Sequence, residues 1–591
     1  MLGFCNRYLG LKVPFLPSHS RYFHLSDPVK LYFPKNEISI KYRSPVTKKI
    51  KSMPISEMMA ISNPSLTRKS RNVFHPHPML TSGHTQTFWA ALVGDHMNPQ
   101  RVKYEREIVK APDGGIISLD WTTLPKRASL KPTPLIFILH GLTGGSHESY
   151  IQDMVLSLKK YGYECVVMNF RGCCGTEVMS PQLYCGAYTG DVQLCVNHIK
   201  KRDPQAVLFG IGFSLGSNVI TKYTGQLGYN CPFVGLVSVG NPFDFLGANR
   251  AMHRTYIGRL IYSKRMGANL LRMFAKHLHI FKDAEWLDLD ELNNAKNIVE
   301  FDAAATSKSF GYKTVDEYYR FGSCAYDIPY IQIPTLFLNS MDDPVCSSFV
   351  IPYNEIKSNP HTVLATTEFG GHLGWFQDGW DNLVPAKRWF SGPVAEFVNT
   401  IMEAHLSLPV SETKREFKVD AGGTPWMSMR SQTDSIRKEL ISLRKEVRFL
   451  EESKQINRSM SNLIEKFYGV NADSPVESDK DSAISLQSVK VVSSEVEMVS
   501  IPQITISTGT QAELDLTNKS VQSETQTNST STSPIKGINP IASPSKQVGK
   551  PLRLEELSIR GLVKYLFAFF RKNQFAFLMF LFGYISRKQL S

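Results

Sequence analysis

Little in this chain would organise a metal or a nucleic acid. Its nine cysteines are scattered through 591 residues, and no two stand as a Cys-x-x-Cys pair, so no zinc-finger spacing can be drawn. Their odd number, with Cys173 and Cys174 adjacent, reads as reduced, buried thiols of an intracellular protein rather than a disulfide framework. The net charge of +14 comes without a dense basic tract or an RNA-binding signature. That balance excludes nucleic acid as the expected partner and favours an anionic membrane surface. No N-terminal run reaches the ~20 apolar residues that a spanning helix needs. The glycine-rich stretch after His140 lacks the Gly-Lys-Ser/Thr ending of a phosphate-cradling loop. No cofactor and no metal are expected.

What is present is organised around Gly212-Phe213-Ser214-Leu215-Gly216. An apolar run of strand length (206–211) enters this turn, and a helix-like run leaves it. In that context Gly-x-Ser-x-Gly is a nucleophile elbow, with small residues required on both sides of a strained serine. A serine needs a base to accept its proton, and the base needs a carboxylate to orient it. Residues 333–339 read as a strand ending in Ser340-Met341-Asp342-Asp343-Pro344. Residues 363–366 read as another, followed by Phe369-Gly370-Gly371-His372. The order Ser, acid, His is then Ser214, Asp343, His372. Asp343 is chosen over Asp342 because it directly precedes the proline that turns the chain, which leaves Asp342 as a solvated neighbour. The amides of Leu215, after the elbow, and of Leu142, in His140-Gly141-Leu142-Thr143-Gly144, are the expected oxyanion donors.

At this length the chain exceeds one compact domain. Residues 1–26 are basic and free of acids, a candidate transit peptide or simply a basic terminus. Residues 27–101 are proline-rich and read as an irregular extension packing on the core. His75, His77 and His84 lie there without an acid or cysteine to complete a metal site, so they read as loop structure. The body, 102–408, alternates strands (102–109, 116–121, 135–139, 163–170, 206–211, 233–239, 335–339) with helices (147–161, 190–201). This is α/β, with a largely parallel sheet covered on both faces. Residues 241–332 break the alternation with helices rich in Met, Leu and aromatics (256–278, 287–301), a cap over the strand ends.

The motifs extend well beyond the elbow. They include Gly83-His84-Thr85-Gln86-Thr87, Pro112-Asp113-Gly114-Gly115, Gly141-Leu142-Thr143-Gly144-Gly145-Ser146-His147 and Asn169-Phe170-Arg171-Gly172. Phe310-Gly311-Tyr312 and Gly370-Gly371-His372 continue the series. With these residues the chain, from about Lys30 to His405, resembles the α/β-hydrolase-domain-containing lipases of the type 1/type 3 phospholipase branch. Monoacylglycerol lipases, yeast medium-chain ethyl-ester acyltransferases and plant embryogenesis-associated proteins are similar to it as well. The resemblance implies an α/β-hydrolase fold, a Ser214–Asp343–His372 triad and lipid carboxylic esters as substrates. It departs at Ser217, where many relatives have glycine, and no N-terminal run here reads as the membrane anchor that many animal members carry.

Beyond the body, 409–430 is a linker. In 431–468 the steps Ile436, Leu440, Leu443, Val447, Leu450 make a short heptad run, either a self-association coil or an amphipathic helix folding back. Residues 469–550 are poor in aromatics and rich in Ser, Thr, Gln and Pro, and are expected to be disordered. Thr525-Gln526-Thr527 resembles the anchor that adds as a strand to dynein-type light chains. In 551–591 two short apolar arms flank Arg571 and Lys572, an expected interfacial or re-entrant membrane anchor. Three readings follow: a serine esterase of lipid esters, an acyltransferase passing the same acyl group to an alcohol, and a scaffold acting through its C-terminal third.

Overall fold

The computed structural model describes residues 29–67, 74–77, 80–92, 102–122, 132–377 and 388–413. All fall in the unit formed by Met1–Ile441 and Phe567–Ser591; the second unit, Ser442–Leu566, lies outside them. The expected transit peptide, heptad helix, light-chain anchor and apolar tail therefore also lie outside the described residues.

Eleven strands are described: β1 (Lys30–Tyr32), β2 (Ser39–Arg43), β3 (Ile50–Pro54), β4 (Tyr104–Lys110), β5 (Ile116–Thr122) and β6 (Pro134–Leu139), then β7 (Glu164–Asn169), β8 (Val207–Phe213), β9 (Phe233–Val239), β10 (Thr335–Ser340) and β11 (Thr362–Thr367). Nine form one sheet in the order β1-β11-β10-β9-β8-β6-β7-β5-β4. The six strands from β7 to β11 across the middle run parallel, while at the edges β5 pairs antiparallel with β7, β4 antiparallel with β5, and β1 antiparallel with β11. That order is the α/β-hydrolase sheet, with β1 added beside β11.

The central strands are apolar on both faces because helices cover both. On β6, Leu135, Phe137 and Leu139 enter one core while Ile136 and Ile138 enter the other. Helices of eight or more residues, among those described, are α1 (Ile55–Ser62), α2 (Gly83–Leu92), α3 (Ser149–Lys160), α4 (Gly190–Arg202), α5 (Leu215–Leu227), α6 (Phe245–Arg254), α7 (Lys264–Lys276), α8 (Val315–Gly322) and α9 (Ser391–Leu406). Ile151, Met154, Val155 and Leu158 of α3 face the second core; Val192, Cys195, Val196 and Ile199 of α4 face the first. Both sets follow the i, i+3, i+4, i+7 spacing of one helix face. Each side chain so buried contributes about 1.5–3 kcal/mol.

Two expectations need correction. The described residues of 27–101 are not irregular throughout: β1 joins the main sheet against β11, β2 and β3 form a hairpin, and His84 lies in α2. The helix expected over 256–278 forms, unbroken from 256 to 276 with π geometry at Gly258–Ser263 ahead of α7, whereas that over 287–301 is two short helices, Leu289–Asn294 and Ile298–Phe301. Asn297 breaks the second run because its side chain caps the next helix, accepting from Val299 and Glu300 amides. Between β9 and β10 the insertion is otherwise helical, as its composition implied.

Candidate active site

Ser214 sits between β8 and α5 at φ 52°, ψ −120°, a conformation that a residue with a Cβ disfavours. The flanking glycines are required by space. A Cβ on Gly216 would stand 2.4 Å from the His140 carbonyl oxygen, and one on Gly212 would stand 2.5 Å from the Gly216 carbonyl oxygen. Ser214 Oγ lies 2.8 Å from His372 Nε2, and His372 Nδ1 lies 2.9 Å from Asp343 Oδ2. The other Asp343 oxygen accepts the Val345 and Cys346 amides, both at 2.8 Å, which fixes the carboxylate's orientation. The structure thus brings together the three residues that the strand order singled out.

The loop after β6 is held by groups that sequence reasoning missed. Gly141 N–H donates to Tyr150 Oη at 2.9 Å, Thr143 N–H to Tyr184 Oη at 2.8 Å, and Gly144 N–H to the Gly141 carbonyl at 3.2 Å. Among the hydrogen bonds of the described residues, the Leu142 amide takes none of these partners. Leu215 is the first residue of α5, where backbone N–H groups have no intrahelical acceptor. His140 is fully buried, and burial lowers its pKa to about 4. It is therefore neutral: Nδ1–H donates to the Gly141 carbonyl at 2.7 Å, and Nε2 accepts the Phe170 amide at 3.2 Å.

The His372 loop is braced from two sides. Its own amide donates to Thr87 Oγ1 of α2 at 2.8 Å, and the Thr87 hydroxyl donates to the Gly83 carbonyl at 2.6 Å. Gln86 accepts the Phe376 amide and donates to the Leu80 and Phe376 carbonyls. Asp342 is not a solvated neighbour. Its Oδ1 accepts both Ser340 Oγ–H and the Gly371 amide, and burial raises its pKa to about 6. It reads as exposed in sequence because nothing local announces that Gly371 folds back onto it.

A cavity of about 120 Å³ opens on Ser214, lined by Leu142 and Leu215 on the scaffold side and by Phe245, Met252, Met266 and Leu270 from the helical insertion. One carboxyl, Asp302, also faces it; burial raises its pKa to about 6 while Thr306 and Tyr319 hydroxyls donate to it. Asp343, Cys346 and His372 are near enough to share an ion. Burial, however, pushes the Cys346 thiol well up, and both Asp343 oxygens are already committed to hydrogen bonds. The donor set fits a triad better than a metal. Among the described residues no helix is long and apolar enough to cross a membrane.

A strained serine on a parallel-sheet elbow, joined to a histidine and a buried carboxylate, defines the serine-hydrolase class. Residues 131–351 match the family described as serine aminopeptidase, S33. The chain is 33% identical to a monoacylglycerol lipase of Saccharomyces cerevisiae, over 54% of this chain and 82% of that protein. It is 35% identical to phospholipase ABHD3 of Homo sapiens, over 47% of this chain and 68% of that protein. It is 28% identical to the yeast medium-chain fatty acid ethyl ester synthase/esterase 2, over 56% and 86%. The chain belongs to the α/β-hydrolase family that these enzymes share.

Proposed function

We propose that this protein is a serine esterase of lipid carboxylic esters, with Ser214, His372 and Asp343 as its triad. The hydrogen-bonded chain Ser214–His372–Asp343 opening into a cavity of apolar side chains carries this reading. Ser214 Oγ attacks the acyl carbonyl as His372 Nε2 takes its proton. Asp343 keeps the proton-bearing Nδ1 turned towards itself and stabilises the imidazolium. The Leu142 and Leu215 amides hold the oxyanion, and the imidazolium then protonates the departing alcohol. Water, activated by His372, releases the acid. The apolar cavity wall favours an acyl chain, and relatives named for monoacylglycerol and phospholipid hydrolysis support lipid esters. The basic, apolar tail at 551–591 supports work at a membrane surface.

The test is fluorophosphonate labelling of the full chain, wild type against Ser214→Ala, followed by assays on monoacylglycerol and phosphatidylcholine vesicles. Labelling that disappears in the variant, with hydrolysis of either lipid, supports the reading; a folded wild type that neither labels nor hydrolyses refutes it. A second reading follows from the relative whose name joins synthase and esterase: the same acyl-enzyme passed to an alcohol. Acyl-ester product formed when ethanol is added separates the two.

A further inference from the structure

Cys174 differs from every other cysteine the structure describes. The other seven are buried, and Cys174 is half-buried. Three polar groups converge on its sulfur: His147 Nδ1 at 3.2 Å, Arg106 Nη2 at 3.4 Å and Ser146 Oγ at 3.5 Å. Arg106 is locked in place, with Nε and Nη2 each 2.7 Å from the two Asp120 oxygens and Nη1 donating to the Cys174 carbonyl at 2.7 Å. The backbone of Cys174 stands at φ 51°, strained for a residue with a Cβ. A sulfur facing a histidine and a guanidinium from a partly open position is the setting in which a thiol turns nucleophilic. Burial raises the Cys174 pKa, but hydrogen bonds from His147 and Ser146 and the His147 charge outweigh it and bring it down to about 6. Burial holds Cys173 and Cys324 at about 12.

The sulfur also touches the loop that serves Ser214. A Cβ on Gly145 would stand 2.5 Å from Cys174 Cβ and 2.9 Å from its Sγ, so the loop and this side chain are already in contact. Gly145 is three residues beyond Leu142. A group added to the sulfur has no room on the Gly145 side unless the loop moves.

We propose that Cys174 is a covalent modification site for small soft electrophiles such as α,β-unsaturated aldehydes, and that its occupation displaces the 141–148 loop and silences Ser214. In the addition, the sulfur lone pair forms an S–C bond to the β-carbon. The C=C π pair moves to the α-carbon, which takes a proton from water, and no oxidant or leaving group is involved. The silencing rests on the role proposed above for the Leu142 amide; the reactivity of the sulfur does not.

The test uses the full chain and iodoacetamide, whose iodide leaves as the S–C bond forms. Sites are mapped by peptide mass spectrometry between pH 5 and 8, with fluorophosphonate labelling of Ser214 followed in parallel. At pH 6.5 Cys174 should react at least about tenfold faster than each of the seven buried cysteines, because most of it is thiolate there and, among the cysteines described, it alone is partly open to the reagent. Its rate should rise with a midpoint near pH 6, and His147→Gln should move that midpoint upward. Fluorophosphonate labelling should fall in step with alkylation, and Cys174→Ser should label normally and resist the reagent. A Cys174 that reacts no faster than the buried thiols overturns the modification site. A fully alkylated chain that labels at the untreated rate overturns the silencing. An untreated wild type that takes no fluorophosphonate overturns the esterase reading and the silencing together, while the alkylation rates still decide the site. The mapping needs no variant, so misfolding of a mutant does not confound it.

Discussion

Adjacent aspartates divide the work of one turn. Asp343 faces His372, whereas Asp342 holds Gly371, the residue before it. Asp343→Asn should keep the fold and lower kcat by about 10³–10⁴-fold, because the amide favours the wrong imidazole tautomer. Asp342→Asn should cost far less, since an amide oxygen can still accept from Ser340 and Gly371, both of which donate to Oδ1. The second variant carries a pH signature. Burial raises the Asp342 pKa to about 6 from an unfolded value near 3.8, and Oδ2 has no hydrogen-bond partner. The folded state therefore favours the protonated carboxyl. That contribution is complete below about pH 3.8 and lost as pH rises through about 6. Asparagine stays neutral throughout, so the Tm of Asp342→Asn relative to wild type should rise between pH 4 and pH 7, as calorimetry on both would show. A difference flat with pH would mean that Asp342 does not bury its charge. In the sequence the two aspartates are told apart only by the proline after Asp343; the partner of Asp342 lies 29 residues away in a different loop.

At the scale of elements, the site depends on α2 as much as on the sheet. Thr87→Val keeps the shape of the side chain but leaves the His372 amide without its acceptor. A buried donor left unpaired costs about 1–3 kcal/mol, so kcat should fall by roughly five- to a hundredfold with KM little changed, measurable on any chromogenic ester. Equal losses in Tm and kcat with a raised KM would point instead to a general loosening. The nucleophile helix α5 is anchored separately. Lys222 is fully buried and 2.8 Å from fully buried Asp327, in the Ala325–Tyr330 turn that returns from the insertion. Lys222→Met should destabilise by about 3–5 kcal/mol, and Lys222→Met with Asp327→Leu should recover most of it, because the loss comes from leaving one buried charge alone. Chemical denaturation of the two variants decides this. The parallel strands were legible because each is an apolar run bounded by turn residues, and β9 falls at Phe233–Val239 as read. The N-terminal strands were not: β2 reads Ser-Ile-Lys-Tyr-Arg and is exposed on alternate residues, and β1 is three residues long. β2 pairs with nearby β3 but lacks an apolar run to announce it, and β1 is held by β11, distant in sequence, a pairing that no local pattern encodes. The brace on His372 was opaque for the same reason, since Thr87 and His372 meet across 285 residues.

For the whole molecule, the charge and the tail bear on where the proposed esterase meets its substrate. The chain carries +14, and four of its cations, Arg571, Lys572, Arg587 and Lys588, interrupt or follow the apolar arms of the C-terminal segment. A segment that spans a bilayer would place Arg571 and Lys572 near its centre at a cost of about 2.5–3.5 kcal/mol each. One that lies on the surface would set them against anionic headgroups, each gaining about 1 kcal/mol. The two topologies respond oppositely to the same change. On anionic vesicles, Arg571→Gln with Lys572→Gln should weaken binding of the full chain by roughly 30-fold if the tail lies at the interface, since about 2 kcal/mol is lost. Binding of the wild type should also weaken as salt is raised from about 0.1 to 1 M, where the screening length contracts from about 10 to 3 Å. If the tail spans, the same substitutions remove an insertion cost, so association becomes tighter and resists salt. Vesicle flotation across a salt series separates these outcomes, and hydrolysis measured on the same vesicles shows whether surface residence or the active site limits the reaction.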